Sequence, residues 1–204
     1  MGGSSLRAAI SLQTMLWGRQ YCYAICTMDG SQKAIFLDRD GVINRTVFRR
    51  GAQRAPDHMG EWVWVDGVQS VLQALHARGY LLVVCTNQPD VPRGWQKREQ
   101  VDAFHERIVR ELPVARVYAC FHDNADACSC RKPLPGMLLQ ARAEFGIAVE
   151  DSYMIGDRPS DIQAGQAAGC RTILYDEQGT TVCPGTVRPD HRIQHLSELL
   201  TIAF

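Results

Sequence analysis

Residues 120–130 hold three cysteines and a histidine, Cys120, His122, Cys128 and Cys130, and Arg131 and Lys132 follow at once. Thiolates and imidazole suit a borderline-soft metal, whereas two adjacent cations suit an anion. Either the metal site merely decorates a loop, or it holds the loop so that its cations point at something. A harder chemistry lies elsewhere. Asp38 and Asp40 stand two positions apart with Gly41 completing a turn, and Asp157 opens a second acidic stretch that includes Asp161. Like charges crowded in this way call for a cation between them, and carboxylate oxygens suit Mg²⁺.

A row of short strands has to position these groups. AIFL (34–37), YLLVVC (80–85), ARVYAC (115–120), SYMIG (152–156) and CRTILY (170–175) are apolar, β-rich runs. Between them come helical stripes at Val68, Val71, Leu72 and Leu75, then at Val101, Phe104, Ile108 and Val109. A third helix is opened by Pro135 and closed by Gly146, and DIQAGQAAG (161–169) makes a fourth. This alternation predicts an α/β fold: a doubly wound, Rossmann-like parallel sheet with helices on both faces and no large cap domain. Ligands of such sheets bind beyond the carboxyl ends of the strands. Those ends carry Asp38 and Asp40, then Thr86 and Asn87, then Cys120 and His122, then Asp157, with Lys132 close behind. Carboxylates, a hydroxyl and a cation thus meet on one edge.

The 204 residues fit one domain with a sizeable core. Lys plus Arg and Asp plus Glu number 22 each, so no overall field favours nucleic acid or an anionic membrane. Of eight cysteines, Cys22, Cys26, Cys85, Cys170 and Cys183 are scattered and read as reduced thiols. No run is long enough for a membrane span, and the amino terminus lacks the clean apolar core of a secretory signal, which together point to a cytoplasmic protein, expected to act as a monomer. Residues 1–32 read as an N-terminal extension of little structure, with Met28 a candidate start, and residues 33–204 as the working domain.

FLDRDGVIN, VVCTNQ, CRKP and MIGDRPSD resemble, in order, the four motifs of the haloacid dehalogenase superfamily. The segment CFHDNADACSCRKP resembles the zinc loop of its capless phosphatase branch, the heptose-bisphosphate and histidinol-phosphate type. The resemblance implies a Mg²⁺-dependent phosphomonoester hydrolase acting on a small sugar phosphate. In it Asp38 is the nucleophile and Asp40 the acid and base. Asp38, the main-chain carbonyl of Asp40, and Asp157 hold Mg²⁺. Thr86 and Lys132 contact the phosphoryl group, and Asp161 orients Lys132 or metal-bound water rather than binding the metal directly. Asn87, Arg93 and Arg131 are substrate-binding candidates. Cys120, His122, Cys128 and Cys130 match the zinc ligands, and such a closed set is structural, bracing the loop that bears Lys132.

Histidinol phosphate is a second substrate compatible with these motifs. From other classes come a phosphoprotein or nucleic-acid-end phosphatase and an inactive zinc-stabilised binding module. The intact Asp38/Asp40 pair argues against the last. Two departures stand out. Pro89 and Asp90 replace the Ser-Gly that usually follows the second motif, although Arg93 and Gly94 match. The segment after the first motif is basic, with Arg45, Arg49, Arg50 and Arg54, and reads as a loop closing over an anionic substrate.

Overall fold

The computed structural model describes residues 32–202. In chain order its strands are β1 (Ala34–Leu37), β2 (Val47–Arg49), β3 (Ala52–Arg54), β4 (Leu81–Asn87), β5 (Val114–Cys120), β6 (Tyr153–Gly156), β7 (Arg171–Tyr175) and β8 (His191–Ile193). Among the described residues, six of them form one parallel sheet in the order β5-β4-β1-β6-β7-β8. The chain builds from β1 outward to β4 and β5, then crosses back to lay β6 on the other flank of β1. This reversal is a topological switch point, and it opens a crevice beyond the carboxyl end of β1.

Alternation along the strands feeds two cores. Ile35, Leu37, Leu82 and Val84 pack with α1 (Val68–Ala77) and α2 (Arg98–Glu111). Ala34, Phe36, Val83 and Cys85 pack with α3 (Gly136–Phe145) and α4 (Pro159–Ala168). Strands covered on both faces need no polar side, which is why their sequences are unbroken apolar runs. The expected stripe of α1 is buried at all four positions. On α2 it holds for Val101, Phe104 and Ile108, but Val109 is 44% exposed. One residue past Ile108, Val109 has turned about 100° off the buried face.

Three further differences from the sequence reading have physical causes. β4 runs two residues beyond its apolar stretch, because Thr86 and Asn87 stay in the ladder opposite Ala119 and Cys120. β8 adds a sixth strand that has only Ile193 buried, too weak a pattern to see. The basic segment is not a plain loop: β2 and β3 form an antiparallel hairpin. Its two-residue turn, Arg50-Gly51, has φ of 54° and 73°, the mirror-image turn that matches strand twist.

Residues 1–31, with Met28 and most of the expected extension, lie outside the described residues. Cys85 and Cys170 are buried free thiols, and Cys183 is a partly exposed one. No helix among the described residues is long and apolar enough to cross a membrane.

Candidate active site

The parallel ladder delivers Asp38 to the crevice, its N–H donating to Ile155 O at 2.9 Å just past the end of β1. Lys132, only 3% exposed, reaches the same point from the loop after β5. Its Nζ lies 2.8 Å from Asp38 Oδ1 and 2.6 Å from Asp161 Oδ1. Burial opposes the ammonium charge, but Asp161 and Asp38 together hold Lys132 protonated well above the ordinary range. Burial pushes the Asp38 carboxyl up to about 6 against the pull of Lys132, with Asp161 and Asp40 adding to the rise.

Asp161 sits in the first turn of α4, where its Oδ2 accepts the Arg158 N–H at 3.0 Å. One oxygen is therefore spent on the helix and the other on Lys132. Gly156 permits this approach, since a Cβ there would lie 2.1 Å from Asp161 Cβ. Asp157 is placed differently. Burial and the neighbouring Asp38 raise its carboxyl well above the usual range, and its Oδ1 is buried with no hydrogen-bond partner. Gly41, at φ 93°, leaves the room it needs: a Cβ at that position would be 2.3 Å from Asp157 Oδ2. Asp38, Asp157 and Asp161 bring carboxylate oxygens within 4.8 Å of one another. An orphaned hard oxygen beside a second carboxylate, both resisting ionisation, fits a divalent cation.

Asp40 is not one of the carboxylates gathered in this cluster. Arg39 grips it with Nε and Nη2, while Asn44 Nδ2 donates at 3.0 Å and Gln88 Nε2 at 2.7 Å. Burial opposes its charge, but the Arg39 guanidinium and these donors win and hold the carboxyl below the ordinary value. With its side chain so engaged, Asp40 can offer a cation only its main-chain carbonyl. Gln88 also donates to Thr86 Oγ1 at 2.9 Å, tying the end of β4 to Asp40.

Asn87 lines the pocket, yet its amide is committed both ways to the Lys132 backbone, donating to the carbonyl at 2.9 Å and accepting the N–H at 3.1 Å. It reaches a ligand through Lys132. The Cys120, His122, Cys128 and Cys130 ligand atoms also lie within 4.8 Å of one another. Cys130 Sγ is 3.2 Å from Cys120 Sγ and 3.3 Å from His122 Nδ1, and Cys120 is 3.5 Å from the same nitrogen. The edges of a tetrahedron with zinc–sulfur bonds of about 2.3 Å are about 3.8 Å, between these distances and the 4.0 Å from Cys120 to Cys128 Sγ, so the donor set is compatible with zinc. Burial pushes the Cys120 thiol up to about 12, so a bound cation would have to supply the charge that draws off its proton. Arg131 is held by the same loop, donating to Asn124 Oδ1 at 3.0 Å and His122 O at 3.2 Å.

Above these groups is a cleft of about 640 Å³ with Asp38, Asp40 and Lys132 on its floor and Arg54, Arg93, Arg131 and Arg158 around it. Most of the basic segment is neutralised within the molecule. Arg45 pairs with Asp66 and Glu177, Arg49 with Asp57 and Glu61, and Arg54 with Asp90. Asp90 also pairs with Arg93, which donates through Nε to Asp123 Oδ2 at 2.7 Å. Arg50, Arg54 and Arg93 stand 4.8, 4.5 and 5.3 Å from the Trp95 ring centroid, and that indole is 41% exposed.

Arg39, Gln88 and Asn44 went unassigned in the sequence reading although all three lie within its quoted motifs. The signal available for Arg39 and Gln88 was their place at the carboxyl ends of β1 and β4. His105, which touches Arg39, stands one turn from Val101 and so on the edge of the apolar stripe of α2.

A parallel sheet bearing an acid pair, a buried lysine and a second acid pair at its switch point defines a HAD-like hydrolase. The HAD-hydrolase-like family model matches residues 129–199. The chain is 35% identical over 185 residues to D-glycero-beta-D-manno-heptose-1,7-bisphosphate 7-phosphatase of Yersinia pestis, covering 84% of this chain and 95% of that one. It is 35% identical over 147 residues to the corresponding alpha-anomer phosphatase of Campylobacter jejuni, covering 70% and 81%. D,D-heptose 1,7-bisphosphate phosphatase from B. bronchiseptica, solved with magnesium and phosphate, matches with a TM-score of 0.72 at 27% identity. That match covers 84% of this chain and 100% of the other. The chain belongs to the heptose-bisphosphate phosphatase family of the HAD hydrolases.

Proposed function

We propose that this phosphatase removes the 7-phosphate of D-glycero-D-manno-heptose 1,7-bisphosphate through an aspartyl-phosphate on Asp38. The observation that carries the chemistry is the pairing of Asp38 with Lys132, beside an Asp40 whose carboxylate is separately held. Asp38 Oδ attacks phosphorus while the bond to the leaving sugar oxygen breaks. Lys132 and Thr86 offset and orient the phosphoryl oxygens. Asp40 gives a proton to the leaving oxygen and then takes one from the water that hydrolyses the intermediate. Arg39 keeps Asp40 ionised, which suits the second half. In the first half the substrate's own negative charge beside Asp40 raises its affinity for the proton.

Mg²⁺, held by the Asp38 and Asp157 carboxylates and the Asp40 carbonyl, supplies charge stabilisation to the phosphoryl oxygens. Asp161 serves Lys132, as its two occupied oxygens support. Zinc on Cys120, His122, Cys128 and Cys130 braces the loop that aims Arg131 and Lys132. Arg131 contacts the substrate. Arg93, held between two carboxylates, shapes the wall. On this reading residues 33–204 are the phosphatase domain, working as a cytoplasmic monomer on a small molecule, with every group of the site drawn from one chain.

A phosphate-release assay with Mg²⁺ tests the substrate. The panel contains both anomers of the heptose bisphosphate, because the relatives' names divide between them. It also contains histidinol phosphate and phosphopeptides. Heptose bisphosphate should rank first; histidinol phosphate or a phosphopeptide at the top would replace it, and a flat, weak profile would indicate an inactive module.

A further inference from the structure

Arg39 is the largest fully buried side chain among the described residues, at 0% exposure. A guanidinium carries five N–H donors and no acceptor, so its burial is tolerable only where acceptors surround it. Asp40 takes one side: Nε donates to Oδ1 at 3.2 Å, and Nη2 to Oδ1 at 3.0 Å and Oδ2 at 2.9 Å. On the other side Nη1 meets His105 Nε2 at 3.0 Å. The Phe104 ring centroid lies 5.6 Å from the guanidinium carbon. Because arginine can only donate, His105 must present the lone pair of Nε2, which makes the ring neutral with its proton on Nδ1.

Among the described residues, only Arg39 holds both oxygens of Asp40. Gln88 and Asn44 each hold one. The direction of the carboxylate therefore follows the direction of the guanidinium fork, and the fork is fixed from behind by one imidazole on α2. We propose that His105 is a positioning residue for proton transfer, acting through Arg39 to set the angle at which Asp40 faces the leaving oxygen. Taking away the acceptor leaves Nη1 buried without a partner, and the fork turns toward another acceptor or toward water. The inference rests on the reading of Asp40 as the proton-transfer group.

The test compares wild type, His105→Leu, His105→Gln and Asp40→Asn. The substrates are the best alkyl phosphate of the panel and an aryl phosphate whose phenolate leaves without a proton. kcat/KM reports the first half-reaction and so reads the donated proton. For His105→Leu it should fall about tenfold on the alkyl ester, part of the ~10²–10⁴-fold that proton transfer supplies, and less than twofold on the aryl ester. His105→Gln, which keeps an acceptor, should recover most of the loss. A loss equal on both esters, a wild-type rate for folded His105→Leu, or no recovery with Gln overturns the proposal. If Asp40→Asn itself fails to distinguish the two esters, the Asp40 reading falls, which is a separable result. In wild-type protein, ¹⁵N imidazole resonances should show His105 as the neutral Nδ1–H tautomer. An Nε2–H tautomer or an imidazolium refutes the proposal even if His105→Leu does not fold.

Discussion

Lys132 Nζ and Asp38 Oδ1 form a 2.8 Å ion pair with the lysine side chain 2% exposed. The same ammonium meets Asp161, so one cation faces two buried carboxylates with Asp157 close by. Lys132→Met leaves that negative charge unbalanced. It should cost ~3–5 kcal/mol of stability, as removal of one partner of a buried pair does. Added Mg²⁺ should restore part of the stability in a urea titration but not the turnover. Unchanged stability without Mg²⁺ would show that the carboxylates are already neutral.

Asp38→Asn should abolish turnover by at least ~10³-fold, because an amide is no nucleophile. The fold should be no less stable at pH 7. A carboxyl raised to about 6 from its ordinary 3.8 destabilises the folded state above that window, since the unfolded chain sheds the proton more readily. Retained phosphate release from any ester would remove Asp38 from the role.

Cys128→Ser should lower zinc content from about one per chain, the hydroxyl being a poor substitute for a thiolate. The sheet should survive, because Cys128 and Cys130 touch the second core only at its edge and the strands keep their apolar residues on both faces. Turnover should fall by up to ~10²-fold through misplacement of Arg131 and Lys132, and Mg²⁺ should not rescue it. Full activity in zinc-free protein would make the loop decoration.

Burial, reinforced by Arg39, pushes His105 down to about 3 from its ordinary 6.5, with Asp40 and Asp102 opposing and Arg98 adding. Between those values the unfolded chain binds a proton that the folded chain does not. Stability is therefore greatest above pH 6.5 and declines as pH falls toward 3, by at most ~1.4 kcal/mol per unit from this group. His105→Gln should flatten that decline between pH 6.5 and 4.5 in urea unfolding. An identical slope in both proteins would assign it elsewhere.

Removal of residues 1–27, so that the chain begins at Met28, should preserve folding and phosphate release. Aggregation or loss of most of the rate would place the domain boundary before residue 28.

What was legible in the sequence was whatever local pattern encodes. Buried strands announced themselves as apolar runs, and their carboxyl ends named Asp38, Asp40, Thr86 and Asp157. The four soft ligands were visible because they sit within eleven positions. Contacts between elements were not. Nothing along the chain joins Arg39 to His105, 66 positions away, or Arg54 to Asp90, 36 away. β8 and the β2–β3 hairpin carry too few buried residues to show a period. Three acidic partners of the basic segment, Asp57, Glu61 and Asp66, stand within it or just behind its last arginine and were there to be read, whereas Asp90 and Glu177 lie far along the chain.

Trp95, half-exposed with three guanidiniums against its indole, two of which (Arg54 and Arg93) line the cleft, gives the pocket an optical readout of its own. Indole emission follows the charges near the ring, and a phosphorylated ligand in the cleft brings negative charge close to Arg54 and Arg93. Occupancy of the cleft should therefore register as a change in tryptophan fluorescence before any bond is broken. Among the described residues, Trp62, stacked on Phe104 in the core, and Trp64, edge-on to Trp62, add a background outside the cleft. Ligand arrival and chemistry could then be timed separately in one stopped-flow trace, without a label.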